Sequence, residues 1–227
     1  MNEPNSEKLK KDEMVAALLL DYASGNLVRP LEVLVETHVS LNQESARQLN
    51  MLMQLGGILL EDSEPVSLSE GALDAVMAEI EKSEAENVVQ LYSKTKQTKS
   101  QDLLPRPLAD YIPDLDCDKS WRKLSRGLSQ CRIEFEGTEL EANIYRIAPG
   151  VAVPVHSHEG AEVTLVLTGG FTDETGNYGP GDIAIQETGA THQPVADDDG
   201  ECIVFAINEG SIKLANPIGR VLSYLVN

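Results

Sequence analysis

The sequence predicts an α+β chain in two parts, a small N-terminal helical domain followed by a small C-terminal β-barrel. Three observations predict it. Four stretches among the first 86 residues repeat apolar side chains at helical spacing. From Leu108 onward, short apolar runs alternate with glycine-rich turns. Within that second part, three of the chain's four histidines gather around one glutamate.

The helices come first. Residues 8–26 place Met14, Leu18, Leu19 and Tyr22 on one face, and Gly25-Asn26 supplies the stop. Pro30 opens a second helix, with Leu31, Leu34, Val35 and His38 on one side. A third runs from about 42 to 60, striped by Leu49, Leu52, Met53 and Leu55. A fourth runs from about 69 to 84, striped by Leu73, Val76, Met77 and Ile80 and started by Ser67-Leu68-Ser69-Glu70. These make a domain over 1–86. Residues 87–107 differ in kind: NVVQLYSKTKQTKSQDLLPRP is polar, poor in acids and ends in two prolines, which predicts a linker. Its apolar piece, Val88 to Tyr92, is a candidate for docking on a neighbouring domain.

The third part, 108–227, carries strand candidates at 133–135, 141–147, 163–167, 181–185, 201–206, 212–214 and 221–226. Its centre is GVAVPVHSHEGAEVTLVLTG, from Gly150 to Gly169. In a strand, residues two apart share a face, so His156 and His158 project together. A turn at Glu159-Gly160 brings Glu162 beside them. His192 follows a second strand-like run and the Gly189 turn. Three neutral imidazoles and one carboxylate suit zinc, iron, manganese or nickel. The expected ligands of one divalent ion are therefore His156, His158, Glu162 and His192, and these residues alone do not choose among the four metals.

The spacing extends the argument. Gly150, five residues, HxH, three residues, Glu162, six residues, Gly169 is followed by Gly181, five residues, Glu187-x-Gly189-x-x-His192. This resembles both motifs of the cupins. Glu187 stands where that family usually has Pro and Ala196 where it often has Asn, and neither is a ligand position. The resemblance implies a double-stranded β-helix, the cupin form of the jelly-roll barrel.

Composition limits the partners. The formal net charge of -19 disfavours direct binding to nucleic acid or to an anionic membrane, both of which need basic patches. Cys117, Cys131 and Cys202 are odd in number, far apart and without a CxxC, which predicts free thiols in a reducing compartment. The N-terminus has no apolar signal core, and no run approaches a membrane span. A cytoplasmic protein is the expectation.

Taken as a whole, the chain resembles the ChrR-like anti-sigma factors, a helical zinc-binding domain joined to a cupin. In the first half the likeness rests on LLLDYASG (18–25), VETHVSL (35–41), LGG (55–57) and LSEGAL (68–73). In the second it rests on PVHSH (154–158), EVTLVL (162–167) and THQP (191–194). The resemblance implies that the helical domain sequesters a group IV (extracytoplasmic function) sigma factor. It also implies that the cupin domain senses oxidative or related stress, with a small-molecule signal in its pocket as a candidate. An acidic helical domain suits the basic surfaces of a sigma factor, although complementary charge serves encounter more than affinity.

One departure stands out. The family's helical zinc site uses His, three residues, Cys, two residues, Cys, and an upstream His. Here His38 is kept, but the cysteine positions are Asn42 and Ser45 and the upstream position is Glu13. Without thiolates, no zinc is expected in this domain, and His38 becomes a packed or hydrogen-bonded side chain. The alternative function is a cupin metalloenzyme, dioxygenase- or isomerase-like, with Tyr145, Gln186 or Gln193 lining its pocket. A third reading makes the metal structural in a small-molecule-binding dimer. Cys202 is expected to be a small buried hydrophobe, and a homodimer through strand edges is a candidate assembly.

Overall fold

The computed structural model describes residues 3–87, 104–112 and 121–214. Four helices lead: α1 Glu3–Ala23, α2 Arg29–Leu41, α3 Gln43–Glu61 and α4 Ala72–Asn87. Gly25, at φ +70°, turns the chain after α1, a conformation that costs a side chain with a Cβ. Asn42 starts α3, its Oδ1 accepting from the N–H groups of Glu44 and Ser45 at 3.1 Å each. That is the work of an N-cap, which satisfies donors the first helical turn leaves open.

After the described residues resume, α5 (Arg106–Ala109) forms a single helical turn. The sequence reads a linker passing straight into strands at this point. Pro105 and Pro107 explain the difference, because their fixed φ suits the start of a helix. Leu104, Leu108 and Ile112 are buried here, in the same cluster as α2 and the barrel.

Among the described residues, twelve strands follow: β1 Arg122–Ser125, β2 Leu128–Ile133, β3 Glu141–Ile147, β4 His156–His158, β5 Glu162–Thr168, β6 Phe171–Asp173, β7 Gly176–Tyr178, β8 Ile183–Gln186, β9 Thr191–His192, β10 Val195–Ala196, β11 Cys202–Asn208 and β12 Ile212–Leu214. A six-stranded sheet runs β1-β2-β3-β11-β5-β8, and two three-stranded sheets run β10-β6-β7 and β12-β4-β9. All pairings are antiparallel. The expected strand at 133–135 lies earlier, at β2, and the expected strand at 221–226 and the Val88–Tyr92 segment lie outside the described residues, as does Cys117.

The large sheet is buried on both faces. Inward, Leu128, Ile147, Val166, Ala184, Cys202 and Val204 meet Phe171 and Tyr178 of the β10-β6-β7 sheet. Outward, Ile144, Leu165, Ile183, Phe205 and Ile207 meet Val33 and Leu34 of α2 and Leu108 of α5. This is why β11 reads Cys-Ile-Val-Phe-Ala-Ile with no polar alternation. Helix α2 is shared between two cores, since Val35 packs with Leu19 of α1 and Leu49 of α3.

Among the described residues, the stripe of α3 beyond Leu52 and that of α4 meet nothing comparable. Leu49 is buried, but Met53 and Leu55 are exposed, as are Leu59, Leu60, Leu73, Val76 and Met77. The periodicity of α3 and α4 gives their helical form, while most of the apolar face it creates, beyond Leu49 and Leu52, is left to water.

Candidate metal centre

Three of the four candidate ligands come from the β12-β4-β9 sheet and the fourth from β5. In β4, His156 and His158 are both buried with a half-buried Ser157 between them, as a two-residue strand period requires. Strand β9 pairs with β4 so that His192 lies directly opposite His156. Glu162 opens β5 after a turn at Gly160, where a Cβ would run into the Glu209 carbonyl, so only glycine permits so close an approach. The four sequence-chosen residues thus converge: one donor atom from each lies within 4.8 Å of every other, and all four side chains are buried.

The ring nitrogens face one another. His192 Nε2 lies 2.9 Å from His156 Nε2 and 3.2 Å from His158 Nε2. Glu162 Oε2 lies 3.2 Å from His158 Nε2 and 3.7 Å from His192 Nε2. The Nδ1 of His156 sits 2.9 Å from the Pro154 carbonyl, and the Nδ1 of His192 sits 3.1 Å from Asp173 Oδ2. Both oxygens can only accept, so both rings carry their proton on Nδ1. Their Nε2 lone pairs then point at each other across 2.9 Å, which is repulsive unless a cation lies between them. Neighbouring donors on an ion with bonds of ~2.1 Å stand about 3 Å apart. The residues therefore fit a divalent ion.

The electrostatics agree. Burial, with the neighbouring imidazoles, lowers His156 and His158 to about 4, so both are neutral and ready to bind a cation. Burial raises the Glu162 carboxyl to about 7, with His192 opposing the rise and Asp173 adding to it. Burial also raises the Asp173 carboxyl, but hydrogen bonds from His192 and Thr175 outweigh it and hold the group below its ordinary value.

A cavity of about 810 Å³ opens beside the cluster. His156, Glu162, His192, Gln186 and Tyr145 line its polar part, and Leu128, Val153, Phe171 and Val204 its apolar part. Of the three pocket candidates, Tyr145 and Gln186 are therefore in place. Gln193 is not among the lining residues, and its backbone N–H donates to Glu174 at 3.0 Å. Cys202 is fully buried with its thiol pushed up to about 12, mainly by burial. Asp173 escaped the sequence reading, since nothing in Phe171-Thr-Asp-Glu-Thr-Gly marks it and its contacts depend on the fold.

In the helical part, His38 is buried and its Nδ1–H donates to the Gly181 carbonyl at 2.8 Å. Gly181 belongs to the turn before β8 and adopts φ +84° against Leu41. The contact ties α2 to the second metal half-motif.

Comparison with known proteins completes the picture. A family model described as the ChrR cupin-like domain matches residues 116–211. The anti-sigma-E factor ChrR of Cereibacter sphaeroides is 37% identical over 212 residues, which is 90% of this chain and 96% of that protein. In the crystal structure of Rhodobacter sphaeroides SigE in complex with the anti-sigma ChrR, one chain is 39% identical and superposes with a TM-score of 0.68. That match covers 86% of this chain and 96% of the other. Identity at this level across both the helices and the barrel means that the chain belongs to the ChrR family of anti-sigma factors.

Proposed function

We propose that the chain sequesters a group IV sigma factor through its helical domain and that one divalent ion in the cupin domain takes part in sensing oxidative or related stress. The observation that carries the first half is the match, along nearly its full length, to a ChrR chain crystallised in complex with SigE. A physical feature supports it. The exposed apolar faces of α3 and α4, with Leu60 74% and Leu73 70% exposed, need a partner to leave water. Among the described residues, no helix is long and apolar enough to cross a membrane, so a lipid-spanning role for these helices has no support. The division into 1–86, 87–107 and 108–227 and a cytoplasmic location belong to the same proposal.

His156, His158, Glu162 and His192 would hold the ion, with zinc the first choice and iron, manganese and nickel as alternatives. When bound, the ion would supply a Lewis acid beside the cavity that His156, Glu162 and His192 line. The chain's own residues orient the donors, keep His156 and His158 neutral and exclude bulk water. In the helical domain we propose no zinc, because Asn42 serves as the α3 cap and His38 is bonded to Gly181.

Co-expression with the cell's group IV sigma factors tests the partner. A stable complex of the full chain with one of them is expected, and failure to retain any would remove the proposal. The second reading, a cupin metalloenzyme, has one observation in its favour: the cavity of about 810 Å³ beside the ligands is large enough for a small substrate. Turnover of a diketone or flavonoid by iron-loaded protein would support it.

A further inference from the structure

His192 is the ligand with the least backbone support. His156 and His158 share one strand flanked on both sides by β9 and β12, whereas His192 ends a strand of two residues. Its ring is held from elsewhere. Asp173, in the β10-β6-β7 sheet, presents Oδ2 to His192 Nδ1 at 3.1 Å, and its side chain is fully buried.

The carboxylate is itself fixed on both oxygens. Gln186 Nε2 donates to Oδ2 at 3.0 Å, while the Thr175 N–H and hydroxyl donate to Oδ1 at 2.8 and 2.6 Å. Four donors leave it no freedom to turn. Asp173 meets the Nδ1 side of the ring, so it cannot share an ion bound at Nε2.

We propose that Asp173, held by Gln186 and Thr175, is the positioning residue that selects the metal-binding tautomer of His192. The assignment rests on the metal reading above. An acceptor at Nδ1 fixes the proton there, keeps the Nε2 lone pair aimed at the cluster and makes the ring a stronger donor. Asp173 also brings a second buried carboxyl group near Glu162.

The test is zinc binding to the full-length chain, read by competition with a chromophoric chelator, for the wild type, Asp173→Asn and Thr175→Val. Circular dichroism of the metal-free proteins checks folding, and long-range ¹H–¹⁵N spectra report which His192 nitrogen carries the proton. Asp173→Asn is expected to weaken zinc binding about 10- to 100-fold and to abolish the Nδ1–H preference that the metal-free wild type shows. Thr175→Val keeps the carboxylate but removes one of its bonds. It is expected to lose roughly 3- to 10-fold, and it carries the test if Asp173→Asn fails to fold. Zinc affinity in the folded variants within about twofold of wild type, or a proton on Nε2 in the wild type, would overturn the assignment. A wild-type chain that binds no zinc or other divalent ion would instead overturn the metal reading, an outcome distinct from wild type and variant binding alike.

Discussion

The barrel interior and the outer face of α3 and α4 break the ordinary rule of burial in opposite directions. In the barrel, three histidines and two carboxylates sit out of water where apolar side chains would cost less. On α3 and α4, leucines and methionines stand in water where polar ones would cost less. Neither arrangement is explained by the stability of the isolated chain. Each has the form of one side of an interaction, the first suited to a cation and the second to an apolar partner surface. A fold consistent at every level keeps such exceptions for the places where it binds something.

The most severe way to break the contrast is to remove the cation's hold. His156→Ala in the full chain is expected to abolish stoichiometric metal. A chelator should then lower the melting temperature of the wild type and leave the variant unmoved. With free metal near a thousand times Kd, the lost linkage amounts to about 4 kcal/mol. Equal chelator sensitivity in both proteins would mean the ion is held elsewhere.

Next in size is Leu34→Ala. This side chain is fully buried between α2 and the outer face of the large sheet. Its truncation should cost ~2–5 kcal/mol in denaturant unfolding. Because α2 serves both cores, the helices and the barrel are expected to lose stability together. A barrel that melts unchanged would show that the two parts are uncoupled.

On the exposed face the prediction separates binding from folding. Leu60→Glu and Met77→Glu should each change stability by no more than about 0.5 kcal/mol. Each should weaken sigma-factor capture by about 2 kcal/mol or more. A fall in stability without a fall in capture would reverse the account of this surface.

The smallest effect concerns His38. Burial lowers its pKa from 6.5, with the Gly181 hydrogen bond opposing only in part. The unfolded chain therefore takes up a proton before the folded one, and stability rises with pH across that window. The contribution is complete above about 6.5 and fades as pH falls toward the depressed folded value. His38→Gln should flatten the drop in melting temperature between pH 7.5 and 5.5. An unchanged slope would assign the acid sensitivity to other groups.

Much of this was legible in the residues. The HxH pair needs only the two-residue period of a strand, and Glu162 and His192 follow from the spacing of glycine turns, so the clustering of these four side chains is legible directly. The helices α1 to α4 follow from apolar periodicity, and β3 from alternation bounded by turns. What covers a face was not legible: the α3 stripe predicts a helix equally well whether Met53 and Leu55 meet a core or water. Strands β6, β7, β9 and β10 have two or three residues each, too few to show a period. Asp173 reaches His192 across sheets, and no local pattern encodes that contact.

Elemental analysis of the purified full-length chain, set beside a His156→Ala, His158→Ala double variant, puts the most direct question to the barrel. One divalent ion per wild-type chain and none in the double variant is the expected result. A wild type without metal, or a double variant that keeps its ion, would contradict it.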